Sequence, residues 1–248
     1  MGTRIHILSA FAAAALMTSL STAAHAVTAT LGATYFEVAD GSDPDFNLFS
    51  TPNVALGSVL GPNGLPVASA PFGVNDIGVG NQITWWSPTL NTHVVQTGMG
   101  TITLPFASNM YAPNSTGFND SSFFETAVFN GTFSLASAST VEFQLGSDDD
   151  SFIYVDGTLF GQNPGVHGVT NVDFTSPTLG AGNHSIEVFY ADRENTGAYL
   201  SLNLLSDVVI SPPSGVPEPT TWAMFLVGFG GLGLMLRGSR RKGTAATA

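Results

Sequence analysis

The sequence contains no cysteine, and its long middle section contains almost no positive charge. Of the six Lys and Arg residues, one precedes residue 27 and four follow residue 236, which leaves Arg193 alone between them. Seventeen of the 18 acidic residues lie in residues 27–216, so this section carries sixteen net negative charges with histidine neutral. Such a surface will not attract nucleic acid or an anionic membrane, and it suits divalent cations. Without disulfides, packing must hold the core.

The same section lacks the parts of several common catalytic sites. It has no cysteine nucleophile, no lysine, no Gly-x-Ser-x-Gly turn and no phosphate-binding Gly-Lys pair. His93, His167 and His184 do not have the spacing of a zinc site. A glycosidase needs only two separated carboxylates, and among so many acids some pair exists by chance, so this class remains an alternative. The composition therefore favours a protein that is not an enzyme.

A long soluble helix pattern is also missing, and short strand-like runs recur between Gly, Pro and Asn turns. This pattern is typical of an all-β antiparallel sandwich or barrel. Residues 50–82 read as long loops with short strands. A strand fragment at 83–86 would place one of Trp85 and Trp86 in the core and the other outside, against a loop or a sugar ring. The clearest predicted strands are 27–38, 127–135, 141–145, 152–155, 169–174, 185–190 and 198–205.

The candidate chemistry is concentrated in residues 141–168. A strand-like alternation leads into three consecutive acids, Asp148, Asp149 and Asp150, and an apolar run then ends at the hairpin-turn signal Asp156-Gly157. Adjacent carboxylates repel one another, so a fold tolerates them only if water screens them or a cation neutralises them. Calcium accepts several oxygen ligands in flexible geometry, which neighbouring aspartates and loop carbonyls can supply. The alternative is a solvated acidic turn.

The run GSDDDSFIYVDGTLF, followed by GVHG and later by FYADRENTGAYLSLNL, resembles the fibro-slime family and its relative, the protective-antigen-type module of microbial adhesins and glycosidases. The resemblance implies a jelly-roll-like β-sandwich. In sugar-binding members of the wider module, two consecutive aspartates hold calcium, and the ion contacts sugar hydroxyls. That pair falls on Asp148 and Asp149, and Asp150 occupies a site that is often Gly in the adhesins. The resemblance therefore implies calcium and a glycan as ligands.

A second loop, residues 192–197, lies between the last two predicted strands. Loops at one end of an antiparallel sandwich converge, so Asp192 or Asn195 could complete a metal site. The alternative is an exposed charged turn, in which Arg193 pairs locally for at most about 1 kcal/mol. His167 lies in the GVHG segment of the fibro-slime pattern, where a loop hydrogen bond to backbone is expected. We predict Asp148, Asp149, Asp150 and Asn195 as metal ligands and Asp148, Asp149, Asp192 and His167 as ligand-binding residues.

The N-terminal end reads as a secretory signal over residues 1–26. Its single charged side chain, Arg4, precedes an apolar region, and the segment Ala24-His25-Ala26 fits the small-x-small cleavage rule. A membrane-spanning anchor is the less favoured interpretation, because the apolar region is short. The mature protein is therefore predicted to begin near residue 27.

The C-terminal end resembles the bacterial PEP-CTERM sorting signal. Pro217, Glu218 and Pro219 precede an apolar run at 222–236, and basic residues including Arg240 and Arg241 follow it. The resemblance implies recognition and processing by an exosortase in a Gram-negative envelope. As a helix the run would cover roughly 22 Å, enough for one marginal transmembrane helix that anchors the protein before processing. A permanent tail anchor is the alternative.

The sequence thus predicts four parts: a signal peptide with its helix (1–26), a β-sandwich ectodomain (27–210), a Pro-rich linker (211–219) and a sorting segment (220–248). The predicted function is that of a secreted, exosortase-sorted protein of the cell surface or extracellular matrix. Its sandwich would bind calcium and, through the ion, a glycan. A purely structural component of an exopolysaccharide or biofilm layer is the alternative.

Overall fold

The computed structural model describes residues 29–47, 54–70 and 73–213. The predicted signal peptide, transmembrane helix and sorting residues lie outside these ranges. Within the ranges, no helix is long and apolar enough to cross a membrane. The strands are β1 Ala29–Ala39, β2 Val94–Leu104, β3 Phe106–Asn109, β4 Phe123–Leu135, β5 Glu142–Asp148, β6 Asp150–Val155, β7 Thr158–Asn163, β8 Thr170–Thr175, β9 Gly182–Ala191, β10 Tyr199–Leu204 and β11 Ile210–Ser211.

The strands form two antiparallel sheets, which bears out the all-β sandwich prediction. The larger sheet has the order β2-β1-β4-β9-β6-β7, with the short β11 beside β4, and the smaller has the order β3-β10-β5-β8. Because successive side chains on a strand point to opposite faces, each sheet offers one apolar face to the other. Buried side chains of both sheets meet in one core, among them Leu31, Phe129, Val188, Phe143, Leu145 and Leu200.

A second apolar cluster covers part of the other face of the larger sheet. We call the described residues between β1 and β2, namely 40–47, 54–70 and 73–93, the loop layer. Apolar side chains of the loop layer, including Phe46, Leu65 and Trp85, pack on the larger sheet. The sheet residues in this cluster include Phe36, Phe124, Phe152 and Phe189. The loop layer has almost no regular strand, and isolated bridges such as Leu56 with Ala68 hold it together. The larger sheet is therefore apolar on both faces, as the continuously apolar run in β6 requires.

The prediction that one tryptophan faces outward is wrong. Trp85 and Trp86 are 0% and 3% exposed. They lie in a turn, so the strand alternation on which the prediction rested does not apply to them. The indole N–H of Trp86 donates to the Tyr190 carbonyl at 2.7 Å, and that of Trp85 donates to Asp45 Oδ2 at 3.0 Å. Both side chains fix the loop layer, and neither is available to stack on a sugar.

The predicted hairpin turn is confirmed. Asp156 and Gly157 have φ values of 50° and 70°, and they join β6 to the neighbouring strand β7. A two-residue turn with both φ angles positive matches the twist of the strands that it connects. The turn closes the hairpin at the end opposite to the three consecutive aspartates, which therefore lie where β6 begins.

Candidate functional site

The three consecutive aspartates lie where the chain passes from one sheet to the other. β5 of the smaller sheet ends at Asp148, and β6 of the larger sheet begins at Asp150. The peptide bond between Asp148 and Asp149 is cis. Asp148 is half-buried, whereas Asp149 and Asp150 are buried. The alternative of a solvated acidic turn is therefore wrong for these last two side chains.

Asp149 joins two loops. Its Oδ1 accepts the backbone N–H of His167 at 2.9 Å, and its Oδ2 accepts the backbone N–H of Arg193 at 2.8 Å. Burial nevertheless outweighs these bonds and raises the pKa of the Asp149 carboxyl to about 8. The structure thus brings together the predicted residues Asp149 and His167 and the loop that follows β9.

Asp150 is committed to a different partner. One of its oxygens accepts the backbone N–H of Gly165, and the other accepts the guanidinium Nη1 of Arg193 at 3.0 Å. Arg193 is fully buried, its Nε donates to the Asp45 carbonyl at 2.9 Å, and its guanidinium carbon lies 4.4 Å from the Trp85 ring centroid. The alternative of an exposed charged turn is therefore wrong for Asp192 and Arg193, which are both buried.

Asp192 is the unusual residue of the site. It is 0% exposed, and neither of its carboxylate oxygens has a hydrogen-bond partner within the described ranges. Burial, and then the charges of Asp149, Asp120 and Asp148, raise the pKa of Asp192 well above its usual value, and the nearby backbone N–H of Glu194, which forms no hydrogen bond of normal geometry with it, only opposes this rise. A buried carboxylate without a donor is rare, because native structures satisfy nearly all buried polar groups. This one therefore calls for a partner that the described residues do not supply.

Asp120 was missed by sequence reasoning. It lies in the loop before β4, and its Oδ2 accepts the backbone N–H of Gly197 at 3.0 Å. Gly197 also abuts Asp148, since a Cβ added to this glycine would lie 2.9 Å from Asp148 Oδ2. The two carboxylates therefore converge on one backbone position. We call Asp120, Asp148, Asp149 and Asp192 the acidic cluster. No spacing in the sequence points from Asp120 to residues 148–150, so only the folded loops reveal this neighbour.

Two other predicted residues lie at the margin of the acidic cluster. The His167 ring donates through Nδ1–H to the Gly168 carbonyl at 2.9 Å, in agreement with the expected loop hydrogen bond to backbone. Its Nε2 is buried without a partner among the described residues. The Asn195 side chain is exposed. Burial, and then the charges of Asp120, Asp192 and Asp148, raise the pKa of the Tyr111 phenol.

A second acidic group lies in the loop layer. Oxygens of Asp43, Asp45 and Asp76 lie within 4.8 Å of one another, a separation at which they could hold a metal ion. Donors of the loop layer already serve these carboxylates: Asp45, for example, accepts the backbone N–H of Asn75 at 2.8 Å and the indole N–H of Trp85. Burial and the neighbouring Asp43 raise the pKa of Asp76 to about 8. The acidic cluster differs in two respects: no three of its carboxylates lie within 4.8 Å of one another in the described structure, and the Asp192 carboxylate makes no hydrogen bond among the described residues.

Comparison with known families identifies the C-terminal end. Residues 215–242 match the model of the PEP-CTERM protein-sorting motif. The predicted sorting signal at Pro217, Glu218, Pro219, Arg240 and Arg241 falls within this match, although it lies outside the described residues. The motif indicates an exported protein that is sorted through a Gram-negative envelope by an exosortase. No curated protein matches the chain.

Several solved structures resemble the fold. A PA14 sugar-binding domain from an RTX adhesin is 18% identical with a TM-score of 0.38, and the match covers 74% of this chain and 94% of that one. The PA14 domain of the MpAFP antifreeze protein is 13% identical with a TM-score of 0.35, covering 73% and 90%. The Epa9 A domain of Candida glabrata, solved with Galβ1-4GlcNAc, is 11% identical with a TM-score of 0.35, covering 78% and 86%. The fibro-slime resemblance stays a prediction.

Proposed function

We propose that the protein is a component of the cell surface or extracellular matrix whose β-sandwich binds calcium at the acidic cluster and binds a glycan through that ion. In this proposal the sandwich is of the jelly-roll-like, protective-antigen type that the sequence resembles. The mature domain acts by binding, and its carboxylates serve as ligands and not as a catalytic acid and base. The sorting motif delivers the domain to the outside of the cell, where glycans are available.

The unpartnered carboxylate of Asp192 carries the proposal. Burying a charge without a partner costs several kcal/mol, and a fold keeps such a group only where something else compensates it. Asp148, Asp149 and Asp120 around it provide only further oxygen atoms of the same sign. Oxygen-rich, negatively charged and loop-borne ligand sets are those that calcium prefers. When bound, calcium neutralises these acids and accepts sugar hydroxyls as further ligands.

In this proposal the remaining predicted ligands have different roles, which their contacts support. Asp150 supports the acidic cluster from outside it, because Arg193 and Gly165 already engage both of its oxygens. Asn195 lies three residues beyond Asp192 with an exposed side chain, which leaves it available to the ion or to the glycan. His167 supplies its backbone N–H to Asp149 and thereby orients a ligand.

Calcium titration of the purified protein tests the metal site through the variant Asp192→Asn. We expect the parent protein to bind calcium and to melt at a higher temperature in calcium than in EDTA. Asp192→Asn should lose this gain while melting in EDTA at or above the parent temperature, since the substitution removes a buried carboxyl that must either hold a proton or carry an uncompensated charge. Asp207→Asn, which changes an exposed carboxylate, should behave like the parent. Equal calcium stabilisation of parent and Asp192→Asn would refute the site.

A glycan array with and without EDTA tests the second half of the proposal. Binding that disappears on chelation and in Asp192→Asn supports recognition through the ion. If calcium stabilises the protein but no glycan binds in either condition, the cation has a structural role, and the protein is a structural matrix component. Turnover of a polysaccharide that a carboxylate variant abolishes would instead establish a glycosidase.

A further inference from the structure

Arg193 is the one Lys or Arg side chain within the described ranges, and it is completely buried. We infer that Arg193 is the positioning residue of the acidic cluster, and that through it the affinity for calcium depends on the loop layer. The inference rests on the proposed calcium site and goes beyond it, because it attributes part of the calcium affinity to residues that do not contact the ion.

The backbone of Arg193 is fixed to the acidic cluster. Its N–H donates to Asp149 Oδ2 at 2.8 Å, and the residue immediately before it is Asp192. A displacement of this one backbone position therefore moves the unpartnered carboxylate and releases a hydrogen bond to a second ligand. Neighbouring residues that orient a metal ligand contribute to affinity although they never contact the ion.

The side chain of Arg193 is fixed to three other groups. Nη1 donates to Asp150 Oδ2 at 3.0 Å, Nε donates to the Asp45 carbonyl at 2.9 Å, and the guanidinium lies over the Trp85 ring at 4.4 Å. Asp150 belongs to β6, whereas Asp45 and Trp85 belong to the loop layer. The arginine therefore spans the boundary between sheet and loop layer, and its position depends on both.

The loop-layer partners are themselves held in place. The Asp45 carboxylate accepts the backbone N–H groups of Asn75 and Asp76, at 2.8 Å and 2.9 Å, and the indole N–H of Trp85 at 3.0 Å. Contacts thus run without interruption from residues 75–76 through Asp45 and Trp85 to Arg193, and from there to the acidic cluster. A rigid loop layer gives a rigid arrangement of the carboxylates.

Only arginine makes all of these contacts at once. Its planar guanidinium donates in fixed directions and stacks on an aromatic face, and it stays charged at every relevant pH. Lysine in the same place keeps the charge but offers one compact ammonium, which cannot reach Asp150 and the Asp45 carbonyl in the same geometry. The variant Arg193→Lys therefore separates charge from positioning.

Calcium affinity, measured beside stability, tests the inference. We expect Arg193→Lys and Trp85→Phe to weaken calcium binding by about tenfold or more, the usual range for residues that orient metal ligands. Gly161→Ala is the control, because its added Cβ would lie 2.6 Å from the Phe174 ring and the three atoms nearest to it all belong to that ring and not to the acidic cluster. The control should lower the melting temperature without changing the affinity. If the variants weaken binding no more than Gly161→Ala does, the inference is wrong.

Hydrogen exchange in EDTA separates this inference from the calcium proposal. Arg193→Lys should speed amide exchange at position 193, at His167 and at Asn75 relative to Gly161→Ala, because those amides depend on the positioned carboxylates. If the parent protein binds no calcium but the variant exchanges faster, the dependence of calcium affinity on Arg193 is overturned, whereas the positioning of the carboxylates by Arg193 is supported. Unchanged exchange overturns the positioning whatever calcium does. Trp85→Phe provides the same readout if Arg193→Lys does not fold.

Discussion

Asp192 and Arg193 are adjacent and fully buried, one acidic and one basic, yet their side chains contact different groups. The guanidinium of Arg193 pairs with Asp150, whereas the carboxylate of Asp192 has no donor in the described part of the chain. Neighbouring residues at the end of a strand point in different directions, so sequence adjacency does not make an ion pair. Arg193 therefore holds neighbouring residues of the site in place, and the Asp192 carboxylate is available to bind a ligand.

The hydroxyl of Tyr190 supports the acidic cluster from the core, which gives a prediction at the scale of one residue. This O–H is buried and donates to the Asp148 carbonyl at 2.6 Å. Tyr190→Phe leaves that carbonyl without its donor, and we expect the free energy of unfolding to fall by about 1–3 kcal/mol. Urea unfolding in EDTA measures the loss.

Tyr199→Phe is the matched control, because the half-buried Tyr199 lies beside Asp148 on the neighbouring strand and its hydroxyl makes no side-chain hydrogen bond among the described residues. Its unfolding free energy should stay within about 0.5 kcal/mol of the parent. A Tyr190→Phe variant as stable as this control would contradict the prediction.

At the scale of strands, the sequence predicted those in which apolar and polar side chains alternate. It did not predict the extent of a strand that only backbone pairing with its neighbour determines. The alternating run at 185–190 lies in β9, and the run at 141–145 leads into β5. In residues 94–104, glycines at 98 and 100 break the side-chain pattern into two short runs. They form one strand, β2, because the backbone of β1 pairs with it across both glycines. Pairing of this kind leaves no trace in the side-chain pattern.

The site was predictable in part for a related reason. Three consecutive acids are visible in any sequence, and so is the charged loop that contains Asp192. The burial of Asp149 and Arg193, the approach of Asp120 and the tryptophan under the guanidinium all depend on the loop layer, whose residues 54–93 carry no regular periodicity. Contacts made by irregular segments arise from tertiary packing, which local patterns do not encode.

Two strand glycines give a prediction at the scale of elements. Gly161 in β7 faces the Phe174 ring of β8 across the edge of the sandwich, and a Cβ there would lie 2.6 Å from the ring. Gly161→Ala should therefore destabilise the protein by about 1–3 kcal/mol, the usual cost of overpacking.

Gly100 in β2 is the control, since a Cβ there meets nothing within 4 Å. Gly100→Ala should be neutral or slightly stabilising, because alanine loses less backbone entropy on folding than glycine. Chemical denaturation of both variants beside the parent measures the difference. The sandwich packing described here would be contradicted if Gly161→Ala proved as stable as Gly100→Ala.

At the scale of the whole molecule, acidic side chains affect stability from inside the protein as well as from its surface. Seven acidic side chains are buried, and one arginine is present to pair with them in the described ranges. The buried acids are Asp43, Asp45, Asp120, Glu125, Asp149, Asp150 and Asp192. Solvent and salt screen surface carboxylates but reach these groups much less. Stability is therefore coupled to the protonation of the interior, or to the cation that takes the place of those protons.

This coupling predicts how stability depends on pH when calcium is absent. Burial raises the pKa of Glu125 to about 7 and those of Asp76 and Asp149 to about 8, from ordinary values of 4.5 and 3.8. The folded state then binds more protons than the unfolded state. The stability that these groups contribute is complete below about pH 4 and is lost as pH rises through their folded pKa values. In EDTA, the free energy of unfolding should fall steadily between about pH 5 and about pH 9.

Urea unfolding at a series of pH values, in EDTA and again in calcium, measures this dependence. Glu125→Gln should flatten the profile up to about pH 7, because it removes one group that must lose its proton inside the protein. Glu142→Gln changes an exposed carboxylate and should leave the profile unchanged. Calcium should reduce the loss at high pH, since the ion neutralises the carboxylate of Asp149 when its proton leaves. A profile in EDTA that is flat or rises toward alkaline pH would show that the folded interior does not hold these protons.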